Sequence, residues 1–176
     1  VGDFVLAIGN PYGLGQSVTT GIISALGRGG FKAEGYEDYI QTDASINPGN
    51  SGGALIDTQG RLIGINAAIY GPPGGGTANG IGFAVPVDIA MAVMNQLIKY
   101  GDIKKGRLGA NLTDLSPSQV TRIGATGAQV KNVDGASPAE RGGLVANDVV
   151  LSLDGRAVRN ARDLMNKVAL TRAGSN

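Results

Sequence analysis

The sequence predicts a mainly β protein: a barrel or sandwich of short strands, followed by a smaller α+β module. Three observations carry this. Short apolar and β-branched runs follow one another at close spacing as far as Val85. Glycine is in excess, 30 of 176 residues, against a usual level of roughly 7%. It lies in short clusters without a collagen-like period, as tight turns between strands require. From Pro86 onward the apolar spacing becomes helical and the charge changes sign. Residues 1–98 hold three Lys/Arg and seven Asp/Glu, net −4; residues 99–176 hold twelve and seven, net +5. Two domains with different surfaces account for that split.

The elements follow in order. Phe4 to Ile8 is a short apolar strand, and GNPYGLG (9–15) a loop. Ser17 to Leu26 is rich in β-branched residues and suits a strand. GRGGFKAEGYEDY (27–39) is a long polar loop, and Ile40 to Thr42 is short and extended. INPGNSGG is a turn, and Gly53 to Ile56 and Leu62 to Ile69 are strands joined through Asp57–Arg61. YGPPGGGTANG (70–80) is a loop, and Ile81 to Val85 closes the series. Pro86 to Tyr100 is a helix: Pro86 suits its first turn, Asp88 its positive end, and Gly101 stops it. Its apolar positions (Val87, Ala90, Val93, Met94, Leu97, Ile98) recur at helical spacing and are expected to pack on the barrel. GDIKKGR (101–107) reads as a linker. Beyond it, Gly127 to Val133 and Val149 to Leu153 read as strands, with a turn at Asp154-Gly155. SPAERGGL (137–144) reads as a short helix ended by glycine, and Arg159 to Leu170 as a longer amphipathic helix.

Composition narrows the function classes. With 42% hydrophobic and 16% charged residues the chain can build a core and is not of a disordered type. The basic residues are scattered and few aromatics accompany them, which argues against nucleic acid. There is no cysteine, so disulfides and thiolate metal sites are excluded. No metal or cofactor signature is present, and no apolar run reaches membrane-spanning length. The chain opens on VGDFVLAIG, the inside of a strand, and closes on TRAGSN, a turn. It is expected to be a segment of a longer protein.

INPGNSGGAL (46–55) is the chemically informative stretch. Gly49-Asn50-Ser51-Gly52-Gly53 fits G-x-S-x-G, the nucleophile elbow of α/β-hydrolases, but that elbow needs a strand before and a helix after. Here a polar, proline-containing approach precedes Ser51 and an apolar hairpin follows. The better reading is a serine on a tight loop between strands. Acyl transfer builds negative charge on a carbonyl oxygen, and losing one backbone N–H aimed at it costs about 3–4 kcal/mol. Bringing the N–H groups of Gly49 and Ser51 into one small space demands a sharp fold, which glycine permits. The plain alternative is a structural turn.

TDASINPGNSGGAL resembles the nucleophile segment of the HtrA/Deg serine proteases. VGDFVLAIGNPYGLGQSVTTGIISALGR is similar to that family's opening of the second barrel. LIGINAAIYGPPGGGTANGIGFAVP is similar to its pocket strand and following loop, and the distal segment to the start of its first PDZ domain. The resemblance covers essentially the whole chain. It implies the second half of a chymotrypsin-like double β-barrel protease over residues 1–100, a linker over 101–107 and a truncated α+β PDZ domain over 108–176. It implies Ser51 as nucleophile and Gly49 and Ser51 N–H groups as oxyanion hole, with Asn50 between them. Ala67, Ala68 and Ile69 would pair with an extended substrate. Ile46 and Asn47 would shape the pocket for the side chain before the cut. Ser45 stands where basic-specific trypsins carry Asp, so small aliphatic side chains are expected there, although nearby Asp43 leaves room for a one-step misalignment. Residues 27–39 would form a regulatory loop, with Arg28 its contact residue. Arg107, Leu108, Gly109 and Ala110 would form the carboxylate-binding loop, with peptide lying between Ala110–Leu112 and the helix near Ala161 to Leu170.

The sequence departs from the family pattern in one respect: it contains no histidine, and serine without a base is a poor nucleophile. The family's His and Asp lie in the first barrel. Lys32, the sole lysine before Lys99, makes a Ser–Lys dyad a formal alternative. The resemblance thus implies an ATP-independent endopeptidase for unfolded envelope proteins, trimer-based, with this segment inactive alone. A peptide-holding chaperone on a degenerate protease and an esterase are the competing readings.

Overall fold

The computed structural model describes residues 1–29, 37–69 and 80–175. The chain forms two compact units, Val1–Lys99 and Tyr100–Asn176.

In the first unit β1 (Phe4–Gly9), β2 (Ser17–Arg28), β3 (Tyr39–Thr42), β4 (Ala54–Asp57), β5 (Leu62–Ile69) and β6 (Gly82–Pro86) close into a barrel. The order around it is β1-β2-β3-β6-β5-β4, every neighbour antiparallel. Alternate residues point inward: Val5 and Ala7 of β1, Ile40 of β3, Leu55 of β4 and Ala84 of β6 are buried and pack with Ala44 and Ile46. Six strands enclose a space that these small and medium side chains fill, and each strand pairs with a neighbour on both sides. Thus the predicted barrel-or-sandwich resolves as a barrel, and β3 begins one residue before its expected start. Arg28, expected in a loop, ends β2 and pairs across to Tyr39. Lys32 and most of the 70–80 loop lie outside the described residues.

Helix α1 (Val87–Tyr100) follows β6 directly. Its apolar stripe is not the buried face expected: only Ile89 and Gln96 are buried, whereas Met94, Leu97 and Ile98 are exposed, Ile98 at 76%. Periodicity identifies which face is apolar, but not whether a partner surface lies against it.

In the second unit β7 (Ala110–Asp114), β8 (Ala128–Val133) and β9 (Val149–Val150) form an antiparallel sheet in that order. The expected single strand 149–153 is split. Val149–Val150 pairs with β8, then the chain bends at Leu151 so that β10 (Ser152–Leu153) pairs with β11 (Arg156–Ala157). Asp154 and Gly155, both at positive φ, make the tight turn between them. Helix α2 (Pro117–Ile123) was not anticipated, although Ser116 and Gln119 form a reciprocal capping box and Gly124 closes it left-handed. Helix α3 (Pro138–Arg141) is capped by Ser137 and α4 (Ala161–Leu170) by Asn160. Ala128, Val158, Ala161 and Leu164 form the core, with Leu112, Val150, Leu153 and Val168 packed against it.

Candidate active site and peptide-binding edge

The Ser51 loop is built from two consecutive tight turns. Asn50 N donates to Asn47 O and Gly53 N to Asn50 O, each at 2.9 Å. Gly49 and Gly52 flank Ser51 at φ 105 and 86, a region where a side chain is strained. Residues 10–12 hold the loop from outside: Tyr12 N donates to Pro48 O at 2.8 Å and Asn10 N to Gly49 O at 3.4 Å. A Cβ on Gly49 would overlap Asn10 O, so the close approach itself requires glycine. Ser51 is exposed. Among the described residues no acceptor takes the N–H of Gly49 or of Ser51. The Ser51 hydroxyl donates to Ala67 O at 3.2 Å.

Ala67 belongs to β5, at a register shift. Asn66 pairs with Ala84 and Ala68 with Phe83, so Ala67 is left out of the β6 ladder. Ile69 pairs with Gly82. Of the expected pocket residues, Ile46 is buried and lies against Gly82, where a Cβ would come 2.9 Å from Ile46 Cδ1. Asn47 is half-buried. Ser45 is held at its carbonyl, which accepts from Thr19 Oγ1 at 2.9 Å and Asn50 Nδ2 at 3.3 Å. Asp43 is engaged elsewhere, accepting from Ile22 N at 2.7 Å. Arg28 Nε donates to Gln41 Oε1 at 2.8 Å. An open groove of about 510 Å³, lined by Gly2, Phe4, Val5, Ile23 and Ile63 among others, contains none of the expected site residues. Sequence reasoning missed Asn66 and the 10–12 segment, whose roles depend on contacts distant along the chain.

In the second unit the Arg107–Ala110 loop is pinned from both sides. Ala139 N donates to Leu108 O and Asp134 N to Gly109 O, each at 2.9 Å. Arg107 pairs with Asp134 at 3.3 Å on the surface. Gly109 has φ 75, and a Cβ there would overlap Ser137 Cβ. Strand β7 follows immediately and pairs on one side only, with β8. Leu112 of β7 meets the core formed with Leu164 and Val168 of α4. An open strand edge, a glycine loop and a helix thus adjoin, the arrangement that strand addition of an extended peptide uses.

Asp163 of α4 is the strongly held ionisable group, 5% exposed. Burial raises its carboxyl, but hydrogen bonds from Arg159 and Lys167 outweigh this and hold it below the usual carboxylate range. Asp57, on the β4–β5 turn, is likewise lowered, chiefly by the backbone N–H of Arg61.

Comparison with known proteins agrees with both units. Residues 1–65 match a trypsin-like peptidase domain and residues 96–176 a PDZ domain. The periplasmic pH-dependent serine endoprotease DegQ of Escherichia coli is 47% identical over 99% of this chain, and the periplasmic serine endoprotease DegP of the same organism equally so. The chain spans only 39% and 37% of the length of those two relatives. Among solved structures, the HtrA-type protease AlgW with a tripeptide is 48% identical, with TM-score 0.70, over 97% of this chain and 57% of that one. The serine endoprotease from Yersinia pestis is 40% identical, with TM-score 0.58, over 99% and 55%. With a trypsin-like barrel, a PDZ unit and these relatives in the same order along the chain, it belongs to the HtrA/Deg family of trypsin-like serine proteases.

Proposed function

We propose that this chain supplies the second barrel and peptide-binding unit of a longer serine endopeptidase that degrades unfolded proteins. One observation carries the reading: within three residues, Gly49 to Ser51, an exposed serine stands beside two backbone N–H groups that no acceptor takes among the described residues. In this mechanism Ser51 Oγ attacks the scissile carbonyl carbon. The negative charge that develops on the carbonyl oxygen is met by the N–H groups of Gly49 and Ser51. The proton leaves Oγ for a histidine oriented by an aspartate, both supplied by a preceding barrel, and then passes to the leaving amine. Ala67 to Ile69 align the substrate backbone, and Ile46 limits the pocket to small aliphatic side chains. The Arg107–Ala110 loop receives a peptide carboxylate and β7 its backbone. Arg28 is the candidate regulatory residue of the first unit. The relatives' periplasmic setting supports a cell-envelope role, and the family resemblance a trimer-based assembly.

A fluorophosphonate probe tests this. The longer protein, shown to be folded, is expected to be labelled at Ser51, located by mass spectrometry of the modified peptide. Absence of the label there would overturn the nucleophile assignment and favour peptide holding without cleavage.

A further inference from the structure

We propose that Asn66 is a positioning residue that fixes the Ser51 turn for catalysis, an inference that rests on Ser51 being the nucleophile. Asn66 lies in β5 and is 1% exposed. Its backbone grips the turn directly after Ser51: its carbonyl accepts from Gly52 N and its N–H donates to Gly53 O, each at 2.8 Å. Its side chain grips the strands beneath. Nδ2 donates to Ile8 O of β1 at 3.1 Å and to Ala54 O of β4 at 3.2 Å. The β1–β4 ladder runs from Val5↔Asp57 to Ala7↔Leu55 and stops there. One carboxamide therefore bridges the two strands where their own pairing ends and the Ser51 turn begins.

The chemistry requires this side chain. A single amide nitrogen offers two donors, whereas aspartate offers none when ionised and leucine none at all. Asn66 Oδ1 has no partner among the described residues, so the two donors make the bridge. Ile8 O also lies against Gly53 so closely that a Cβ on Gly53 would overlap it. The carbonyl that Asn66 holds is thus the floor of the turn. Immediately after Asn66 the register shifts, and the released Ala67 carbonyl is the one the Ser51 hydroxyl meets. Asn66 in this way governs both the turn that carries Ser51 and the acceptor beside its hydroxyl. Loss of the donors leaves two part-buried carbonyls without that partner and lets the turn shift, and a displacement of about 1 Å costs roughly 10²-fold in rate.

The test uses the longer protein with Asn66→Asp, which preserves shape and removes both donors. The expected result is a fall of about 10²-fold in kcat with KM unchanged, a parallel fall in the fluorophosphonate labelling rate at Ser51, and unaltered affinity for C-terminal peptide. A purely structural role would lower the folded fraction and leave kcat per folded molecule as it was. If Asn66→Asp does not fold, Asn66→Ser decides: it retains one donor and is expected to lose roughly tenfold in kcat, about one net hydrogen bond. Unchanged kcat in a folded variant, or a loss confined to KM, overturns the proposal. If the unsubstituted protein itself takes no label at Ser51, the nucleophile reading fails instead, so the two failures are separate.

Discussion

Ile46, proposed to bound the specificity pocket, rests its side chain against Gly82, where an added Cβ would come 2.9 Å from Ile46 Cδ1. Ile46→Val removes one buried methylene and should cost about 0.5–1.5 kcal/mol of stability. In the longer protein it should also raise kcat/KM for a leucine relative to a valine before the cut, by roughly tenfold for one methylene. Peptide substrates differing only at that position measure the ratio, and a constant ratio removes Ile46 from the pocket. Legibility at this scale follows distance along the chain. The Gly49–Ser51 turn announces itself because glycine, serine and the following apolar strand are contiguous. Asn66 does not, since its meaning depends on Ile8, which lies on another strand of the barrel and whose carbonyl it caps. An asparagine in an apolar run signals only that a buried amide must find partners.

Helix α4 shows how an element is fastened by one buried carboxylate. Asp163 accepts from Arg159 Nη2 at 2.8 Å and Lys167 Nζ at 2.6 Å, on either side of it at i,i+4 spacing. Lys167 Nζ also donates to Ala157 O at 2.6 Å, tying α4 to β11. Because the carboxyl of Asp163 is lower in the folded chain than unfolded, its contribution is fully present above the ordinary aspartate value of roughly 3.9. It is lost as pH falls through the lower folded value. Asp163→Asn should therefore destabilise α4 by about 1–3 kcal/mol at neutral pH, and the difference from wild type should shrink below about pH 4. Hydrogen exchange of the α4 amides across that range checks both parts; a pH-independent difference would sink the ionic explanation. The elements themselves were largely legible: each barrel strand was expected within two residues of where it lies. The failures have separate causes. A run such as Val149 to Leu153 encodes β character but not the bend at Leu151. Helix α2 is short enough that its capping box outweighs its periodicity. The α1 stripe, with Met94, Leu97 and Ile98 exposed, was read correctly as apolar and wrongly as covered.

At the scale of the whole molecule the proposed site has its oxyanion donors in place and, among the described residues, no base beside Ser51. The turn that would stabilise an oxyanion is folded, yet the chain has no histidine, and the Ser51 hydroxyl is directed at a carbonyl, Ala67 O, that cannot take its proton. A hydroxyl in that state is a weak nucleophile at neutral pH. The 176-residue chain, folded by circular dichroism, should accordingly react with a fluorophosphonate at least about 10⁴-fold more slowly than the longer protein, the scale of an impaired triad. The proposed peptide-binding edge, the Arg107–Ala110 loop with β7 and α4, lies within the second unit, so affinity for a C-terminal peptide should be retained. Measuring label and affinity on the same preparation separates the outcomes. Slow labelling with peptide binding would show a working recognition unit joined to an unpowered nucleophile. Labelling at a rate comparable to the longer protein would mean that a base lies within this sequence, and Lys32→Ala would then be the substitution that must abolish it.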